Sequence, residues 1–422
     1  MSAFSFILPP RNTFFHLTLS TSLTLLVNYL SPNIQPVTNA SKLVLPSRPH
    51  DDDLCNAIQD FVGALRERRY GLMPPLGPDA ARLNSLRTFF SERIGTSVSS
   101  SRAEDLLQAY SEYACKLAQE GRLTSELERA FSYFKDGYPN DADICEVPML
   151  SALAPEFMEG VRMLGTIGFG AVSDKYAFSK MRIGPHSACL GIAGLWTSLV
   201  AARDNLEYFI FPYMSTGVKL NANEMDIAVK EVTKILKGCV PRNIFSLALA
   251  VSLATAGMSV LSRRMILVIA QIGGRRVDLL EQGLPLSYDD IITFADELYQ
   301  IERDKRFYCR GILQKLLNLV IAGLKDPPVG IKEVQHARKL HEVGLKVAQL
   351  VYLTLARILH PEELRYEIAR LLYAQSDISF ENYAREHGTL LSPYEVDCLA
   401  GVLEKMLYTA KLGELLSIGV RP

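Results

Sequence analysis

Arg263-Arg264-Met-Ile-Leu-Val-Ile-Ala-Gln-Ile-Gly273-Gly274-Arg275-Arg276-Val-Asp-Leu-Leu280 is the stretch on which the fold turns. Met265 to Ile272 is apolar almost throughout, which predicts a strand buried on both faces rather than on one. Gly273-Gly274 supplies the positive φ angles of a tight two-residue loop. Beyond it, Val277 and Leu279 alternate with Arg276 and Asp278, so the return strand has one apolar face. The prediction is a β-hairpin over 263–281 with an arginine pair at each end. A strand anchored in a core holds guanidinium groups at fixed positions, which recognition of a phosphate or a base edge requires.

The flanks extend this picture. Ile244 to Leu261, between Arg242 and Arg263-Arg264, is long enough to span a bilayer marginally. It carries Ser246, Ser252, Thr255 and Ser259, and an apolar strand follows at once. A central core helix packed on the sheet is therefore expected, and no membrane partner. Residues 13–30 lack a basic leader and a cleavage site, and hydroxyl residues, His16 and Asn28 dilute their apolarity. They read as a buried helix.

Asp51-Asp52-Asp53 opens a helix with Ile58, Phe61, Val62 and Leu65 on one face. Met73-Pro-Pro-Leu-Gly-Pro78 separates it from helices near 79–94, 102–120 and 123–135, with Ser99-Ser100-Ser101 as a cap-like start for the second. Gly165, Gly168 and Gly170 precede Lys175, Lys180 and Arg182 and suggest short strands or a loop. A helix over 186–202, an aromatic strand over 207–213 and a helix over 223–237 follow, the last with Lys230, Lys234 and Lys237 on one side. From Ser287 the pattern is helical, interrupted by Asp326-Pro-Pro-Val-Gly330, with helices near 331–359, 361–374 and 392–412. The fold class is α+β and helix-rich. Region 1–146 is mostly helical, 147–300 is mixed α/β with a small antiparallel sheet and the hairpin, and 301–422 is a C-terminal helical bundle.

The 422 residues carry a net charge of −1, unevenly spread: −3 over 1–150, +7 over 161–350 and −3 over 351–422. The basic middle is where an anionic partner would bind, although a solvated mixed surface gives the same count. Seven cysteines without a Cys-x-x-Cys are expected to be buried small hydrophobes in a reducing cytoplasm, not a disulfide framework.

Nothing here points to bond-making chemistry. His336 and His341 are five apart, off a common helix face, so no metal site is expected. Asp289-Asp290 are helix-start acids. The glycine cluster lacks the Lys-Ser/Thr ending of a phosphate loop, and there is no Gly-x-Ser-x-Gly. The expectation is a protein that is not an enzyme and needs no cofactor. Besides Arg263, Arg264, Arg275 and Arg276, the candidate nucleic-acid-binding residues are Lys175, Lys180 and Arg182, and Arg303, Arg306 and Arg310. The last three share a face if 303–315 is one helix. Phe307 and Tyr308 are placed to stack on bases or to anchor that helix.

Four stretches together resemble the large subunit of the archaeal type I-A CRISPR interference complex (Cascade). They are Asn12-Thr-Phe-Phe-His-Leu-Thr-Leu-Ser-Thr-Ser-Leu23; Lys180-Met-Arg-Ile-Gly184 with its apolar helix and Tyr208-Phe-Ile-Phe-Pro-Tyr213; Arg263 through Asp296; and the closing helical domain. The resemblance covers most of the chain and is weakest over 31–150. It implies a non-catalytic, cytoplasmic subunit that holds guide RNA and target DNA, recognises the short protospacer-adjacent motif and helps open the duplex. It further implies backbone and small Cascade subunits and the helicase–nuclease as partners. Base pairing would read the sequence, while the protein reads shape, backbone and motif. No single motif-reading residue carries over; the cationic clusters rest on charge and placement. A cytoplasmic helical scaffold that binds only proteins is the alternative. Arg275→Glu with Arg276→Glu is expected to weaken target-DNA capture in a filter-binding assay while the circular dichroism spectrum stays unchanged. Unchanged affinity would remove the hairpin from the interface.

Overall fold

Helix α1, Phe14–Leu30, is buried on every side from Phe14 to Val27. An amphipathic surface helix buries only a stripe, so α1 is a core element. The computed structural model describes residues 4–9, 13–30, 37–39, 41–67, 69–136, 146–154, 182–203, 206–212, 229–230, 232–237, 239, 244–257, 265–271, 276–279, 288–304, 309–325, 333–374 and 378–418. The chain divides into two compact units, 1–229 with 268–277, and 230–267 with 278–422. The expected boundaries at 146 and 300 fall inside these units.

In the first unit, strand β1 (Phe4–Ile7) precedes α1, and β2 (Val37–Asn39) and β3 (Lys42–Leu45) follow it. They form an antiparallel sheet in the order β1-β3-β2. The short strands lie in the region read as mostly helical. Helices α2 (Asp51–Arg66), α3 (Ala80–Ile94), α4 (Ala103–Gln119) and α5 (Leu123–Ser132) match the expected spans closely. Ile58, Phe61, Val62 and Leu65 are buried along α2 as their spacing requires. Asp51 also reaches beyond α2. Its carboxylate accepts from the Leu123 and Thr124 backbone N–H groups at 3.2 and 2.8 Å, capping α5. At α4 the N-cap is Arg102, and Ser100 accepts its N–H at 3.1 Å instead of capping the helix itself.

Strands β4 (Val147–Pro148) and β5 (Arg182–Ile183) pair antiparallel. Next comes α6 (Pro185–Ser198), whose every residue is buried. The helix expected to run to 202 stops at Ser198, because Leu199 begins β6 (Leu199–Arg203), paired with β7 (Leu206–Pro212). Strands β8 (Met265–Gln271) and β9 (Arg276–Leu279) complete a sheet of order β6-β7-β8-β9, which gives the expected hairpin pairing. Leu267, Val268, Ile269 and Ala270 are all buried in succession, so β8 is covered on both faces. The Gly273-Gly274 turn lies outside the described residues.

The two wholly buried helices, α1 and α6, pack on each other. A Cβ on Gly194 would land on the Thr18 carbonyl, so the backbones touch. Burial of the α1 hydroxyls costs little, because each donates to its own helix. Thr18 bonds the Phe15 carbonyl at 3.0 Å, Thr21 that of Leu17 at 2.8 Å and Thr24 that of Ser20 at 2.8 Å.

The second unit is helical. Residues 229–230 and 232–236 lie on a helix with Val229, Val232, Ile235 and Leu236 buried and Lys230 and Lys234 exposed. Helix α7 (Ile244–Ala254) is apolar and buried from Phe245 to Leu253. It is shorter than expected, ending in a turn at Gly257 (φ +79°), and it packs chiefly on helices rather than on the sheet. Those helices are α8 (Tyr288–Arg303), α9 (Ile312–Leu324) and α10 (Glu333–Leu355). Among the described residues no helix is long and apolar enough to cross a membrane. Helices α11 (Pro361–Ala369), α12 (Ile378–Glu386) and α13 (Pro393–Ile418) close the unit. The α9–α10 crossing repeats the device of the first unit: a Cβ on Gly323 would sit 2.7 Å from Gly344 backbone.

The cysteine expectation is corrected. Cys55 on α2 is disulfide-bonded to Cys115 on α4, and Cys309 to Cys398 on α13, with Cα–Cα distances of 4.9 and 6.2 Å. Partners 60 and 89 residues apart show no local spacing signature, which is why the count alone misled. Loops of this length lose roughly 4 kcal/mol of unfolded-state entropy each on closure. Cys189 and Cys239 are buried and take part in neither disulfide.

Gly194→Val is expected to lower unfolding free energy by at least about 2 kcal/mol, since backbone cannot yield as a side chain does. Gly401→Ala on α13, where a Cβ meets nothing within 4 Å, is the control and is expected to be neutral or slightly stabilising in the same urea titration.

Candidate nucleic-acid interface

The junction between α8 and α9 carries the best-defined cationic site. Helix α8 ends at Arg303, and α9 starts after Gly311, whose φ of +81° breaks the helical path. The single helix that would have aligned Arg303, Arg306 and Arg310 is therefore not formed. Arg303 instead closes α8, and Arg310 directly precedes Gly311. Both are exposed, and neither has an ion-pair partner among the described residues. Between them, Cys309 is buried at 1% exposure and tied to Cys398. On the incoming side, the Glu302 carboxylate accepts the Leu313 N–H at 3.2 Å. A covalent tie at Cys309 and the Glu302–Leu313 hydrogen bond brace the described residues next to the two exposed guanidinium groups. Arg306, Phe307 and Tyr308 lie outside the described residues.

Lys315, in the same basic stretch, is occupied. Its ammonium donates to both oxygens of Glu395, at 2.8 and 3.0 Å. Glu395 is buried and also accepts the Ser392 N–H at 2.6 Å, while the Ser392 hydroxyl accepts the Glu395 N–H at 3.3 Å. This is a capping box at the start of α13, with Pro393 in the first turn. The Ser-Pro-Tyr-Glu sequence at 392–395 is the signal for it.

Arg182 lies in the first unit, exposed on β5. Its guanidinium donates to the Glu146 carbonyl at 2.8 Å, and the Glu146 carboxylate pairs with Arg93 at 2.9 Å. It buttresses the β4–β5 pair. Arg276 lies on β9. Lys175, Lys180, Arg263, Arg264 and Arg275 lie outside the described residues, as do Gly165, Gly168 and Gly170.

Two buried titratable groups belong to the core of the first unit. His186 on α6 sits against Tyr110 and Tyr113, with Nδ1 3.3 Å from the Tyr110 hydroxyl. Burial lowers its pKa to about 4, and the same burial lifts Tyr113 to about 12. Glu207 on β7 is 4% exposed and lies opposite Ala202. Burial raises its pKa to about 8. Among the described residues no group of three or more His, Cys, Asp or Glu side chains is placed to hold a metal ion. No family model matches this chain, and no curated protein matches it.

The two core groups act on stability with opposite signs. Folded Glu207 holds its proton up to about pH 8 while the unfolded carboxyl loses it near 4.5, so stability falls as pH rises across that window. Folded His186 stays neutral down to about pH 4 while the unfolded ring charges near 6.5, so stability falls as pH drops across that window. From 6.5 to 8 only the carboxylate contribution remains. Glu207→Gln is therefore expected to raise the melting temperature above that of the parent at pH 8, by a free energy on the order of a few kcal/mol, and to narrow the gap towards pH 5. A constant difference from pH 5 to 8 would mean that Glu207 is ionised in the fold.

Proposed function

We propose that this chain is the non-catalytic large subunit of a type I-A CRISPR effector (Cascade), which binds guide RNA and target DNA, recognises the protospacer-adjacent motif and supports R-loop formation in antiviral defence. The observation that carries the reading is the pair Arg303 and Arg310, both exposed and without acidic partners among the described residues, with Arg310 next to the disulfide-bonded Cys309. Arginine in a fixed position can form bidentate bonds to phosphate or guanine, and no covalent step is needed for either. The sequence resemblance adds the backbone and small subunits and the helicase–nuclease as partners, and a cytoplasmic location. Two disulfides accord with a cytoplasm of the hyperthermophilic kind, where intracellular disulfides persist.

A cytoplasmic helical scaffold that binds only proteins is the second reading. It draws on Tyr366, Ile378 and Tyr394, which expose 66%, 79% and 68% of their surface in the second unit. Aromatic side chains of this kind are enriched in protein interfaces.

Fluorescence polarisation of labelled target duplex over a salt series separates the two. Arg303→Glu with Arg310→Glu is expected to weaken binding at least about tenfold and to flatten the log–log salt slope by up to about two. Absence of any salt-dependent binding by the parent chain would favour the scaffold. Binding by the parent with an unchanged slope in the double variant would place the contact elsewhere.

A further inference from the structure

A cleft of about 390 Å³ opens in the second unit between α9, α10 and the end of α12. Its size falls within the roughly 300–1,000 Å³ range of small-molecule sites. Aliphatic side chains of α9 and α10 form part of its lining, and the polar lining comes from Asn318, Lys325, His341, Tyr383, His387 and Thr389. Among the described residues no carboxylate lines it. Lys325 is exposed at the end of α9 and has no ion-pair partner among the described residues. Among the described residues, the cleft therefore carries positive charge with no carboxylate in its lining to neutralise it.

The histidines are oriented by the backbone. His387 Nδ1 lies 2.9 Å from the Tyr383 carbonyl, and His341 Nδ1 lies 3.3 Å from that of Ala322. A carbonyl only accepts, so both rings carry their proton on Nδ1 and leave Nε2 for a ligand. Asn318 and Thr389 are spent on the fold: the Asn318 amide donates to the Gly388 carbonyl at 3.2 Å and the Thr389 hydroxyl to that of Ala384 at 2.9 Å. The Tyr383 hydroxyl has no partner among the described residues. One wall is aromatic. The Tyr383 and His387 ring centroids are 4.1 Å apart, and His336 continues the series 5.7 Å from Tyr383. Flat rings stack on such a wall, and an unpaired lysine beside it attracts an anion.

We propose that this cleft binds a phosphorylated heterocycle of the nucleoside monophosphate class, with the phosphate at Lys325 and the ring against the Tyr383–His387 wall. The ligand is either a free mononucleotide or the phosphorylated end of a strand; the two share this chemistry. The site uses neither Arg303 nor Arg310, so it stands or falls separately from the arginine pair.

Isothermal titration of the full chain with adenosine 5′-monophosphate, adenosine and inorganic phosphate tests it. The monophosphate is expected to bind at least about tenfold more tightly than either fragment, because both subsites are filled at once. Lys325→Gln is expected to weaken the monophosphate about tenfold and leave adenosine unchanged. His387→Ala is expected to weaken monophosphate and adenosine alike, by at least about fivefold. Both side chains are exposed, so equal melting temperatures will separate loss of binding from loss of fold. A 5′-phosphorylated tetranucleotide that binds better than the mononucleotide assigns the strand end as the source, and the reverse order assigns the free nucleotide. A monophosphate that binds no better than its fragments, or equally well to both variants, overturns the proposal.

Discussion

Where Gly194 meets the Thr18 carbonyl, α1 and α6 touch backbone to backbone, and the first unit is arranged around that contact. Both helices are buried on all sides, so neither can use the usual division into an apolar and a polar face. The Thr and Ser hydroxyls of α1 resolve this by bonding back along their own helix, as Thr18, Thr21 and Thr24 do. The outer elements then need only one apolar face each, and α2, α4 and α5 have that pattern. The second unit repeats the device at Gly323 and Gly344, where α9 and α10 cross. A side chain at either crossing would push apart the helices on which everything else is mounted.

Much of this was legible. Helices with strong periodicity or clear breakers, α2 to α5 and α10, stand where their apolar spacing and their Pro/Gly punctuation put them. The doubly buried strand β8 was legible from its unbroken apolar run. The N-terminal strands were not, because three or four residues are too few to show alternation against a helical background. Helix α6 is four residues shorter than its apolar run predicts, since apolar composition alone does not separate a buried helix from the strand that continues it. The capping box at Ser392 and Glu395 is written plainly in the Ser-Pro-Tyr-Glu sequence.

The candidate sites show the same limits. Helical arithmetic groups Arg303, Arg306 and Arg310, but one helix ends at Arg303 and the next begins only after Gly311. Cys309, beside Arg310, is tied to Cys398, a pairing that no spacing rule reveals at a separation of 89 residues. Lys315, equal to its neighbours in sequence, is consumed by the buried Glu395. The cleft beside Tyr383 is assembled from three separate helices, so its charge and its stacked rings become visible only when those helices are packed.

The proposed role requires that cationic side chains on a stiff framework grip a polyanion and that no bond is made or broken. Isolating the protein from its own cells at low salt, and sequencing whatever nucleic acid remains with it, tests this most directly. The account predicts that short RNAs of repeat-derived sequence co-purify with it in a defined ratio, together with further subunits. A particle free of RNA, or a chain that comes away alone, would contradict it.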